Sequence, residues 1–144
     1  MNPINYLLDT VAISEAVKSN KDNGYMSWLT GTDDRCLYVS CLTIGEIQKR
    51  ISLTYEPKLR QKLEDYLSGL YEAFTNRILE LDVYDAVLWG KLTAKAQKSG
   101  KTPPVIDSLL AAQCLRKQMV LVTRNVRDFE QFTELEILCP WSSN

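Results

Sequence analysis

The chain contains no histidine. That absence excludes Ser-His-Asp and Cys-His catalysis, and it excludes histidine-ligated zinc. Any chemistry must run on carboxylates, hydroxyls, amides, lysine or arginine. There is no long apolar run either: no stretch approaches the roughly 18 residues that a membrane-spanning helix needs. Residues 1–5 carry no basic segment and no apolar segment follows them, so no signal peptide is expected. Cys36, Cys41, Cys114 and Cys139 lack Cys-x-x-Cys spacing and are too sparse for a disulfide scaffold, so each is expected to pack as a small apolar residue. A cytoplasmic protein without membrane contact is the expectation. Strong net charge is missing too. At −1, composition does not announce a polyanion binder, and any such attraction must come from local patches or bound cations.

What is present fits one globular domain over residues 1–144: the apolar fraction is 45% and the charged fraction 24%, enough for a sizeable core. Short apolar runs alternate with helical patterns. Strands are expected at 4–8, 37–39, 78–81, 119–122 and 136–138. Helices are expected at 11–18, 43–53 and 57–75, after the third strand, and at 102–117, where two prolines suit a first turn. The 57–75 helix places Leu59, Leu63, Tyr66, Leu67, Leu70 and Phe74 on one face. Ala86, Gly90 and Ala94, four apart, form a small-residue stripe suited to close packing. The pattern predicts an α/β domain with a mainly parallel five-stranded sheet flanked by helices on both faces. Ligands bind such sheets outside the carboxyl ends of the strands.

Acids fall at those ends. Asp9 follows the first strand, Glu46 sits in the first turn of the 43–53 helix, Asp107 in the first turn of the 102–117 helix, and Asn125 and Asp128 follow the fourth strand. An aspartate ending an apolar strand is costly unless something pairs with it. Glu46, Asp107 and Asp128 equally suit a helix dipole, although Asp107 shares a face with Leu110, Ala111 and Cys114, which turns it inward. Together the carboxylates make a hard, oxygen-rich site suited to Mg²⁺ or Mn²⁺. Such an ion bridges to phosphate, polarises it and lowers the pKa of water. Thr10 and Thr123 either orient these acids or make local turn bonds. Arg124 and Arg127 are candidates for an RNA backbone or an acidic partner segment, or are simply solvated. The stripe Lys91, Lys95, Lys98 reads as a solvated face, and Trp28, Trp89 and Trp141 as core or interface.

Four segments, in order, resemble the motifs of one family. They are YLLDTVAISE (6–15), VSCLTIGEI (39–47), PVIDSLLAA (104–112) and LVTRNVRDF (121–129), with a terminal CPW (139–141) similar to the VapC and FitB-like branch. The chain thereby resembles the PIN-domain toxins of bacterial toxin–antitoxin pairs nearly end to end. The resemblance implies a PIN-like fold and a Mg²⁺- or Mn²⁺-dependent endoribonuclease acting on RNA, with transfer RNA the favoured substrate, leaving 5′-phosphate and 3′-hydroxyl ends and inhibiting translation. It assigns Asp9, Glu46 and Asp107 as metal ligands and Asn125 as a fourth polar group, with Thr10, Thr123, Arg124 and Asp128 as supporting or substrate residues. It also implies a homodimer and a VapB-like antitoxin that covers the site, the complex binding operator DNA through the antitoxin. Val11 stands where many relatives carry asparagine, and Asn125 where some carry aspartate. Two other readings remain open from the residues alone. In the first, an acidic-pocket phosphatase or phospho-receiver uses Asp9 as nucleophile, although Val11 stands where a second aspartate is usual. In the second, a catalytically silent module acts only in an autorepressing complex with a DNA-binding partner.

Overall fold

Residues 3–142 are described by a computed structural model; Met1 and Asn2, the start of the stretch read for a signal peptide, lie outside it. Five parallel strands form one sheet in the order β3-β2-β1-β4-β5. They are β1 (Tyr6–Leu8), β2 (Leu37–Ser40), β3 (Ile78–Leu79), β4 (Val120–Val122) and β5 (Ile137–Leu138). The helices are α1 (Thr10–Glu15), α2 (Asn23–Thr30), α3 (Cys41–Leu53), α4 (Pro57–Ala73), α5 (Val83–Lys98) and α6 (Val105–Lys117), with 3-10 turns at Asp34–Cys36 and Val126–Phe129. The sheet is wholly parallel, as its alternation with helices requires.

Register distributes the core. Leu7 pairs with Leu121 and Leu8 with Val122 across β1 and β4, so each pair faces one side of the sheet. Leu7 and Leu121 pack with Leu110, Ala111, Cys114 and Phe129, beneath α6. Leu8 and Val122 pack with Ile13, Tyr25, Ile47, Ile51, Leu63, Leu67 and Trp141, beneath α1 to α4. Buried on both faces, the central strands read as unbroken apolar runs.

Several boundaries differ from expectation. Ile4 is largely exposed and β1 starts at Tyr6. Of the long apolar face on α4, Leu63, Leu67 and Leu70 are buried while Leu59 is exposed, because the first turn projects beyond the core. Ser40 caps α3, which begins at Cys41 and so puts Glu46 in the second turn, not the first. The Ala86, Gly90, Ala94 stripe does not face a neighbour: both alanines are exposed and a Cβ on Gly90 would meet nothing within 4 Å. It is the face with Trp89, whose indole N–H donates to the Ser108 hydroxyl at 2.8 Å, that meets α6. All four cysteines are free thiols, but only Cys114 is fully buried, and Cys139 is exposed, so uniform core packing fails. Among the described residues no helix is long and apolar enough to cross a membrane.

Candidate active site

The carboxyl ends of β1, β2 and β4 lie side by side, and each hands the chain to a polar residue. The Asp9 N–H extends the ladder by donating to the Val122 carbonyl at 3.2 Å, which fixes the Asp9 backbone at the sheet's end. Its Oδ1 accepts from the Ala12 N–H at 2.8 Å, capping α1. Thr123 is buried directly after β4. Its hydroxyl accepts from the Asn125 N–H at 3.0 Å and lies close enough to the Asp9 carboxylate to lower its proton affinity. Glu46 reaches this end from α3, where the Thr10 hydroxyl donates to its Oε1 at 2.8 Å. Asp107 is half-buried in the first turn of α6.

Electrostatics links these acids. Burial pushes the Asp9 carboxyl above its ordinary value; the Thr123 and Ala12 hydrogen bonds pull it back, and the charge on Glu46 pushes it up again. The Asp107 carboxyl is also raised, first by burial and then by the charges on Asp128, Glu46 and Asp9. The structure therefore brings Asp9, Thr10, Glu46, Asp107, Thr123 and Asp128 into one neighbourhood. Asn125 lies beside them at the start of the Val126–Phe129 turn, where its side chain makes no capping bond. Arg124 and Arg127 are exposed at its rim.

Two residues that the sequence did not single out hold the helices in place. The buried Ser40 hydroxyl accepts from the Leu42 N–H at 3.1 Å and donates to Gln113 Oε1 at 2.6 Å. Gln113 sits in α6 and donates to the Glu80 carbonyl at 3.3 Å. The helix bearing Glu46 is thereby tied to the helix bearing Asp107. A serine just ahead of an apolar-periodic run is an N-cap signal; a core glutamine has no comparable signature.

The donor set suits a hard divalent cation: oxygens only, and no Lys or Arg ion pair to Asp9, Glu46, Asp107 or Asp128 among the described residues. No three of the described Asp, Glu and Cys side chains stand close enough to enclose an ion directly.

The model of the family described as PIN domain matches residues 6–135. The chain is 29% identical over 136 residues to a VapC ribonuclease of Sinorhizobium fredii, covering 94% of this chain and 96% of that one. It is 28% identical over 141 residues to plasmid stability protein StbB of Pseudomonas syringae pv. tomato, covering 95% and 99%. Among solved structures, FitAB bound to a DNA fragment superposes with a TM-score of 0.85 at 24% identity, covering 96% of this chain and 97% of that one. VapBC2 of Rickettsia felis, bound to DNA from its promoter, gives 0.79 at 18%, covering 94% and 98%. These two likenesses establish the fold. With the family model running from β1 to the segment before β5, the chain belongs to the PIN-domain family.

Proposed function

We propose that the protein is a metal-dependent endoribonuclease toxin of a toxin–antitoxin pair, with Asp9, Glu46 and Asp107 holding Mg²⁺ or Mn²⁺ directly or through waters. One observation carries this reading. Acids from β1, α3 and α6 gather at the carboxyl edge of the sheet; burial and neighbouring negative charge raise the Asp9 and Asp107 carboxyls, and none of the acids is paired with a Lys or Arg among the described residues. Unrelieved carboxylates would repel a phosphodiester, so the arrangement makes chemical sense only around an added cation. When bound, that ion supplies charge neutralisation at the scissile phosphate and a lowered pKa for water.

The chain's own groups orient the site. Thr123 and the Ala12 N–H fix the Asp9 carboxylate, and Thr10 fixes Glu46. The Asn125 amide, with no capping bond, is placed to bind a phosphate oxygen or water, and Asp128 adds charge beside Asp107. This mechanism does not use the 2′-hydroxyl, so preference for RNA, with transfer RNA the favoured class, rests on shape and contacts outside the acids. The names of the Sinorhizobium ribonuclease and of the Neisseria gonorrhoeae toxin FitB support the nuclease and toxin assignments. The solved FitAB and VapBC complexes with DNA support a VapB-like antitoxin partner that carries the pair to operator DNA. A homodimer in the cytoplasm belongs to the same reading, and the exposed apolar face of α5 at Val83, Tyr84 and Val87 supports the pairing.

The test is end-labelled total bacterial RNA incubated with partner-free protein in Mg²⁺ or Mn²⁺, beside EDTA and an Asp9→Asn variant. Discrete cleavage is expected in the metal lanes only, with the variant slower by at least about 10²-fold. Absence of metal-dependent cleavage of any RNA by folded, partner-free protein would overturn the reading in favour of a silent assembly module.

A further inference from the structure

Two hollows flank Arg124, next to the acid cluster. The first, about 460 Å³, is bordered by Arg124, Asn125, Val126, Arg127, Asp128 and Glu130 and meets the acid cluster at Asp128. The second, about 360 Å³, is formed where the α1–α2 connection meets the chain end, and is bordered by Glu15, Lys18, Lys21, Asp22, Arg124 and Ser142. Arg124 belongs to both. It immediately follows Thr123, whose side chain lies beside the Asp9 carboxylate.

The charges in the second hollow are arranged asymmetrically. Its two acids are committed inward. Glu15 accepts from the Trp141 indole N–H at 2.8 Å, the Asp22 N–H at 3.0 Å and Lys18 Nζ at 3.3 Å. Asp22 Oδ2 accepts from the Tyr25 and Ser142 N–H groups, each at 2.9 Å. The cations face out. Lys21 and Arg124 are exposed and form no ion pair among the described residues, and Lys18 keeps half its side chain in solvent. Arg124 is near enough for its charge to be felt at Asp22. With its two anions satisfied from within, Glu15 partly by Lys18, and with Lys21 and Arg124 unpaired among the described residues, the hollow presents positive potential to solvent, although the chain as a whole is slightly acidic.

Resting on the nuclease reading, we propose that Lys18, Lys21 and Arg124 form a phosphate subsite that grips the RNA backbone one step along the strand from the phosphodiester held at the acids. A strand leaving the acid cleft past Asn125 meets Arg124 first and the two lysines next. A divalent cation held at the acids would neutralise one phosphate; these three side chains neutralise the neighbours. Contacts of this kind position a strand and carry no sequence information.

The experiment measures binding of a short fluorescein-labelled single-stranded RNA by anisotropy across a potassium chloride series, in an Asp9→Asn background so that the RNA stays intact. Lys18→Ala and Lys21→Ala are each expected to weaken binding about fivefold and to lower the slope of log K against log salt by about 0.7. Lys21→Arg is expected to restore both, and Lys62→Ala on α4 to leave both unchanged. With RNAs carrying one neutral methylphosphonate, the lysine effect should vanish at a single phosphate beside the cleavage position. Unchanged affinity and slope in a Lys18→Ala/Lys21→Ala double variant would overturn the subsite, as would lysine-dependent binding of an acidic peptide but not of RNA. A subsite failure leaves metal-dependent cleavage by the unmodified chain intact. Failure of cleavage with a lysine-dependent salt slope removes the nuclease and keeps the subsite.

Discussion

Helix α1 has a carboxylate at each end, and the two stand in opposite circumstances. Asp9 and Glu15 are both buried, at 6% and 2% exposure, and lie six residues apart. Burial dominates at Asp9 and raises its proton affinity; the Trp141 indole dominates at Glu15, with the Asp22 N–H and Lys18 in support, and lowers it. Burial alone therefore does not mark a reactive carboxylate. What separates the two is the supply of positive partners: Glu15 has donors enough and serves as a structural lock, whereas Asp9 sits among other acids with no ion-pair partner among the described residues.

The comparison can be broken most forcefully at Trp141. This side chain stacks on Tyr25 with ring centroids 4.6 Å apart and donates to Glu15. Trp141→Ala should cost about 3–5 kcal/mol and lower Tm by roughly 10 °C. Because the Glu15 carboxyl is held low, its contribution is present above the ordinary carboxylate pKa and lost as pH falls through the lower folded value. The gap in Tm between the native chain and the variant should therefore narrow in acid. A gap independent of pH would mean that Glu15 is not locked by the indole.

A smaller effect is expected at the other end of the helix. Thr10→Val removes the hydroxyl that orients Glu46, and the Mg²⁺ concentration giving half-maximal cleavage should rise about tenfold with the melting curve almost unchanged. An unaltered metal requirement would make that hydrogen bond incidental.

The smallest effect is a stabilisation. The folded Asp107 carboxyl binds its proton more tightly than the unfolded one, so the charged form penalises the fold as pH rises through that raised value. Asp107→Asn should raise the Tm of metal-free protein by a few degrees at neutral pH, with the gain vanishing below the ordinary carboxylate range. Added Mg²⁺ should raise the Tm of the native chain and have less effect on the variant. A variant that melts lower at neutral pH would show that Asp107 is stabilised by partners, as Glu15 is.

The sheet was legible because Leu7, Leu8, Leu121 and Val122 sit in short, fully apolar runs bounded by polar residues, and Asp9 was legible because it follows such a run directly, whereas Glu46 and Asp107 lie on helices and stood out through the motifs that carry them. Helix α2 was not. It is eight residues long with Gly24 in its first turn, too short for periodicity to outweigh its turn-like composition. The signal it does carry is Asp22 as a cap ahead of Tyr25, Trp28 and Leu29, at i, i+3 and i+4. Gly24 itself is required by contact: a Cβ there would lie 2.7 Å from the Pro140 carbonyl oxygen. Glu46 was displaced by one turn because Cys41 and Leu42 are as apolar as the strand before them. Nor could spacing reveal the bonds from Ser40 to Gln113 and from Glu15 to Trp141, which join residues 73 and 126 positions apart.

The pairing of β1 with β4 sets an order of events during synthesis. Asp9 is made well before the strand that flanks it: β4, and Thr123 directly after it, emerge more than a hundred residues later. Until Val120–Val122 has emerged, Asp9 has no β4 beside it, and a chain interrupted before Val120 never forms the central ladder. Under the nuclease reading, this topology acts as a timer: the acidic cleft cannot exist until β4, far behind Asp9 in the chain, has been made.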